Sequence, residues 1–197
     1  MALELKETGP EILASYAAIP FTFQVDSILR ADEIDGGLGG LALTEEPVDE
    51  PYVKDYDEDP SEGPARWPER FDVSTWLFLM ALDGGELVGG ATIAVRTPRM
   101  HMLAGREDLA VLWDIRVHPD HRRRGIGTAL IGRAAGWAKE QGCTQLKIET
   151  QTNNVRACRF YASRGCRLVA IDRHAYAGYT RDRRVAAEVM VIWCLEL

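Results

Sequence analysis

The chain has 197 residues, 46% hydrophobic and 27% charged, with a formal net charge of −7. That size and balance suit one globular domain with a full core, and the acidic excess argues against general nucleic-acid binding, which needs a basic field. No apolar run approaches the roughly 20 residues that span a bilayer, and the opening "MALELKETGPEILASY" lacks the basic-then-apolar order of a signal peptide; a cytoplasmic protein with no membrane partner is expected.

In chain order, "FTFQVDSILR" alternates as a strand from about Phe21 to Ile28. "GGLGG" reads as a turn and "LALTEEPV" as a shorter strand. The acidic, proline-containing stretch to about Pro68 reads as a loop with a little helix, because its charge resists burial. "WLFLMAL", "DGGE" and "LVGGATIAV" form a hairpin, Trp76–Leu82 with Leu87–Val95. "LAVLWDIRV", Leu109 to Val117, is dense in apolar and β-branched residues and reads as a central strand ended by His118-Pro119.

A helix follows from about Gly125 to Glu140, with Ile126, Leu130, Ala134 and Trp137 on one apolar face and Gly142 at its end. "TQLKIETQ" is a strand, and "NNVRACRFYASRG" is a helix stopped by Gly165. "CRLVAIDRHAY" and "VAAEVMVIWCLEL" are strands joined by a polar loop with Arg181 to Arg184. The order predicts a single α/β domain, its sheet covered by helices. Residues 1–75 are its N-terminal strands and acidic loop, and residues 76–197 its core. Cys143, Cys158, Cys166 and Cys194 show no C-x-x-C pair, so neither disulfides nor a bound metal are expected.

The chemistry concentrates in "DIRVHPDHRRRGIGTALIG". A strand feeding a helix through a glycine turn leaves backbone N–H groups unpaired at the positive end of a helix dipole, which is a site for phosphate or diphosphate. Gly125 and Gly127 let the backbone approach closely, and Arg122, Arg123 and Arg124 add charge. A nucleotide P-loop fails because no Lys follows Gly127. A dinucleotide fingerprint has Glu149 at about the distance of the ribose acid, but its third small position falls on Leu130. The remaining reading is the acyl-CoA turn R-x-x-G-x-G/A, met by Arg122, Gly125 and Gly127.

With that turn, and with Asn154, Ala157, Tyr161 and Gly165 in the pattern N-x-x-A-x-x-x-Y-x-x-x-G, the sequence from Trp76 onward resembles the GNAT superfamily of N-acetyltransferases. Cys166 stands where Phe is usual, and Arg123 where Gly is common. "ETQTNNVRACRFY", Asp172 with Tyr176, "EVMVIW" and the acidic "EEPVDEPYVKDYDED" are similar to the streptothricin acetyltransferases, whose Glu-Asp-Ile is replaced by Trp113-Asp114-Ile115. The resemblance implies a mixed, mostly antiparallel sheet flanked by helices. It implies acetyl-CoA as co-substrate, held by Ile115, Arg116, Val117, by the turn Arg122, Arg123, Arg124, Gly125, Ile126, Gly127 and Thr128, and by Asn154, Ala157 and Tyr161.

An alkylamine of pKa about 10 must lose a proton before it attacks. Glu149 is the first choice of base and Asp114 the second; either acid also reads as a structural or substrate-holding group. A backbone N–H near Val117 is the expected donor to the thioester oxygen. Tyr161, whose phenol is neutral at neutral pH, is the acid for the leaving thiolate or a helix-packing tyrosine. Trp113, Asp114, Glu149, Asp172 and Tyr176 are the expected contacts of a small cationic amine. The acids from Asp49 to Asp59 read equally as an attracting field or as a solvated loop. A peptide or protein acetyltransferase and a non-catalytic acyl-CoA sensor are the alternatives, and the superfamily leaves a homodimer open. Retention of Tyr161 and Glu149 favours catalysis.

Overall fold

The computed structural model describes residues 3–178 and 187–197. Its elements are β1 (Leu3–Thr8), α1 (Leu13–Ala17), β2 (Thr22–Glu33), β3 (Leu41–Asp55), α2 (Trp67–Arg70), β4 (Leu77–Asp83), β5 (Glu86–Val95), β6 (Leu109–Val117), α3 (Ile126–Glu140), β7 (Gln145–Gln151), α4 (Val155–Ser163), β8 (Arg167–Asp172) and β9 (Met190–Glu196). Among the described residues seven strands form one sheet in the order β1-β4-β5-β6-β7-β9-β8, and β2 pairs with β3 in a separate ribbon. The β1/β4, β4/β5 and β5/β6 pairs are antiparallel, and β6/β7 is parallel. The mixed, mostly antiparallel sheet flanked by helices is the fold expected. Among the described residues no helix is long and apolar enough to cross a membrane. The arginines between 181 and 184 lie outside the described residues.

The chain divides into two compact units. The first holds Met1–Thr22, Asp55–Ile148 and Cys194–Leu197. Its core gathers Leu13 and Tyr16 of α1, Trp67 of α2, Trp76 beside β4, and Phe78, Ala94, Leu109 and Val111 of the sheet. Helix α3 buries Ile126, Leu130, Ile131, Ala134 and Ala138. Trp137, expected on that face, is only half-buried; Ala138 completes the i, i+4 row instead. Strand β1 was not foreseen. It is an edge strand pairing only with β4, and its mostly exposed side chains mute the alternation that marks a half-buried strand.

The second unit holds Phe23–Lys54 and Glu149–Trp193. Leu29 N–H donates to Thr152 O at 2.9 Å, and Thr152 N–H to Val189 O at 3.0 Å. The segment expected as a short strand and an acidic loop is instead one strand through Asp55. Two of its acids are paired nearby, Glu45 with Arg159 and Glu46 with Arg30 at 2.7 Å, and its Lys54 meets Glu188 at 2.8 Å. Pro47 and Pro51 are tolerated because β3 pairs on one side only.

Candidate active site

In the first unit, β6 changes character halfway along. The register skips from Ile93↔Leu112 to Thr92↔Asp114, so Trp113 is an extra, bulged residue. The parallel ladder pairs Leu109 to Leu112 with Gln145 to Ile148 and leaves Trp113 to Val117 outside it. Past the bulge, Asp114 and Arg116 are buried, while Trp113, Ile115 and Val117 are half-buried.

A single 3₁₀ turn, Pro119–His121, then leads into the arginine-glycine run. Arg123 (φ 65°) and Gly125 (φ 84°) both adopt left-handed backbone, and Gly125 caps α3. Ala129 is the first residue to close a helical bond, to Gly125 O at 3.0 Å. The N–H groups of Arg123, Arg124, Gly125, Ile126, Gly127 and Thr128 donate to no protein acceptor among the described residues. A continuous set of free amides at the N-terminus of a 15-residue helix fits a diphosphate. The arginines divide the work. Arg122 donates from Nε to Val117 O at 3.0 Å and from Nη2 to Thr22 O at 2.7 Å, bracing the turn. Arg123 and Arg124 are exposed.

Asp114 lies in a buried ion-pair network. Tyr16 O–H donates to its Oδ1 at 2.5 Å, and Arg116 bridges both oxygens at 3.1 and 2.7 Å. Arg116 also reaches Asp57 at 2.9 Å. Tyr16 gets there by packing on Gly90, where an added Cβ would meet the ring at 2.6 Å. Burial first, and the Asp114 carboxylate second, push the Tyr16 phenol well above its ordinary value. Burial opposes the charge of Arg116, but the attraction of Asp114 outweighs it and holds the guanidinium above its ordinary value. Tyr16 carries no sequence signal, and Asp57, read among the acids from Asp49 to Asp59, is instead bound to Arg116. A signal for the network was present: "DIR" puts an acid and a base two residues apart on one face of an otherwise apolar strand. Trp113 joins an aromatic group, with ring centroids 5.2 Å from Phe71, 5.8 Å from Trp76 and 6.4 Å from Trp67.

In the second unit, the structure brings together Glu149 and Tyr176. Tyr176 O–H donates to Glu149 Oε1 at 2.8 Å, and Gln151 Nε2 donates to the Tyr176 oxygen at 2.7 Å. Asn154 caps α4, its Oδ1 accepting from Ala157 N–H at 3.1 Å. Asn154 and Ala157, two of the three residues of this motif expected at the cofactor, are therefore engaged with each other at the helix start. Tyr161 is buried on α4. Asp172 is exposed, and its Oδ1 accepts from His174 N–H at 2.8 Å, an Asx turn.

Residues 41–166 match the acetyltransferase (GNAT) family. The chain belongs to the GNAT acetyltransferase family. A streptothricin acetyltransferase of Streptomyces lavendulae is 30% identical over 146 residues, covering 74% of this chain and 73% of that protein. Streptothricin acetyltransferase A of Bacillus subtilis (strain 168) is 38% identical over 84 residues, 43% of this chain and 46% of that protein. Against the first curated relatives the chain thus spans about half their length. A crystal structure of a Bacillus anthracis str. Ames protein in complex with acetyl coenzyme A superposes with TM-score 0.77 at 26% identity over 100% of both chains. In this GNAT chain the turn leaves the N–H groups from Arg123 to Thr128 without a protein acceptor among the described residues, and the second unit carries a carboxylate bonded by a tyrosine.

Proposed function

We propose that this GNAT chain transfers an acetyl group from acetyl-CoA to a primary amine of a small cationic molecule, by direct attack in a ternary complex, with a streptothricin-type antibiotic as the first acceptor to test. The observation that carries the reading is the run of unpaired N–H groups from Arg123 to Thr128 at the start of α3. Bound acetyl-CoA supplies a thioester, an acyl group open to attack by an amine.

The chain's own residues divide the remaining tasks. The amides of Arg123 to Thr128 bind the diphosphate, and Arg123 and Arg124 strengthen the positive field. The backbone of Ile115 to Val117, outside the β7 ladder, bonds the amides of the pantetheine arm as an added strand would. A backbone N–H near Val117 steadies the charge on the thioester oxygen. Glu149 takes the amine proton. Tyr176 holds Glu149 Oε1 and so orients the carboxylate. Tyr161 gives a proton to the departing thiolate. Asp114 is not proposed as the base, because both of its oxygens are occupied in the buried network.

An acceptor screen tests this, with release of free thiol as readout and streptothricin, aminoglycosides, polyamines and short peptides as acceptors. The chain's own thiols, Cys143, Cys158, Cys166 and Cys194, are all buried, which keeps the native background low. Turnover of streptothricin is expected. Turnover of peptides alone moves the acceptor to a protein terminus, and coenzyme A binding without any turnover makes the chain a sensor.

A further inference from the structure

The Arg116 guanidinium is buried to 1% side-chain exposure, yet each of its donors is used. Nε donates to Asp114 Oδ1 at 3.1 Å, and Nη2 to Asp114 Oδ2 at 2.7 Å and Asp57 Oδ1 at 3.3 Å. Nη1 donates to Asp57 Oδ2 at 2.9 Å and Ile19 O at 3.1 Å. Its carbon lies 4.9 Å from the centre of the Tyr16 ring and 4.4 Å from that of Phe21. Nearby, Tyr56 N–H donates to Phe21 O at 3.2 Å, and the two rings are 4.7 Å apart. Arg122 adds its bond to Thr22 O.

These contacts share one feature. Residues 16–22 and 56–57 flank the ribbon strands β2 and β3 in the chain, one passage leading in and the other leading out. Both passages are fastened to β6, and the first of them also to Arg122, the first residue of the turn. A buried ion pair is weak evidence for stability, since apolar packing of equal volume often does as well. A guanidinium with every donor filled, three of the five bonds reaching two distant segments, instead fixes geometry, because its rigid fork admits little displacement.

We propose that Arg116 is a positioning residue that ties the acidic segment Asp55–Asp59 and the approach from Tyr16 to Thr22 to cofactor occupancy. One residue serves both ends. Its main chain lies on the strand stretch assigned above to the pantetheine arm, and its side chain holds the two passages. The inference rests on that acetyl-CoA reading. When the main chain of Arg116 is fixed by cofactor, the passages are fixed with it, and the acceptor meets an ordered acidic segment.

The test is hydrogen–deuterium exchange of the full chain with and without coenzyme A, comparing wild type with Asp57→Asn. In wild type, coenzyme A slows exchange severalfold at residues 115–128 and also at 16–22 and 55–59. In Asp57→Asn the protection stays at 115–128 and is lost from both passages. Protection confined to 115–128 in wild type, or retained at the passages in the variant, overturns the inference and leaves the acetyl-CoA reading standing. No protection at 115–128 overturns both. A kinetic arm uses Tyr16→Phe, since Tyr16 is 1% exposed and cannot touch an acceptor. Acceptor kcat/KM falls about tenfold, as small misplacements do, mainly through KM, while the KM for acetyl-CoA stays within about twofold. Loss of activity that only follows the loss of folded protein contradicts the proposal.

Discussion

Arg123 sits in left-handed backbone at φ 65°, a conformation that costs a side-chain-bearing residue roughly 1–2 kcal/mol and glycine little. The strain belongs to the turn that leads into α3. Arg123→Gly is therefore expected to raise stability by up to about 1 kcal/mol after the entropy cost of glycine, read from the urea midpoint, while coenzyme A binding becomes weaker and less salt-sensitive. Tyr161 and Glu149 carry the proton steps in the proposed mechanism. Tyr161→Phe and Glu149→Gln should each lower kcat about 10²-fold or more, the usual worth of a positioned acid or base, with coenzyme A affinity nearly intact. Tyr176→Phe leaves the carboxylate without its tyrosine bond, and a smaller loss of kcat is expected. Normal turnover in Tyr161→Phe removes that residue from the mechanism.

Among the elements, β6, α3 and α4 were legible because each carries a strong apolar pattern with a clear stop: His118-Pro119 after the strand, Gly142 and Gly165 after the helices. The ribbon was not. Glu45, Glu46, Asp49 and Glu50 with Pro47 and Pro51 argue against a strand wherever the strand must be buried, but no residue of β3 is buried and β3 pairs on one side, so neither charge nor proline is costly there. The same limit applied to the site. The glycine turn and the Glu149–Tyr176 pair lie in readable motifs, whereas Tyr16 and Asp57 come to Arg116 from sequence separations that local patterns do not encode. Arg122 shows how an element depends on such a contact. Arg122→Met removes two carbonyl partners and should destabilise the fold by about 1–3 kcal/mol, with weaker coenzyme A binding on the same preparation; an unchanged midpoint and affinity would show that the brace is idle.

Across the whole molecule, alkaline pH should weaken the fold. Burial pushes the Cys158 thiol up to about 11, and burial with Asp114 raises the Tyr16 phenol. Both groups are neutral in the native state, while the unfolded chain ionises near the ordinary values of about 8.5 for cysteine and about 10 for tyrosine. Native stability from these groups is thus complete below those values and is lost as pH climbs through the raised ones. The urea midpoint should hold from pH 7 to about 8 and decline above pH 9, less steeply in Tyr16→Phe and in Cys158→Ala; a level midpoint to pH 10.5 contradicts this. The central claim is the anchoring of coenzyme A by backbone amides, and a crystal structure of the chain with coenzyme A tests it most directly. The account predicts the diphosphate within hydrogen-bond distance of the N–H groups between Arg123 and Thr128. A diphosphate ordered anywhere else on the chain would contradict it.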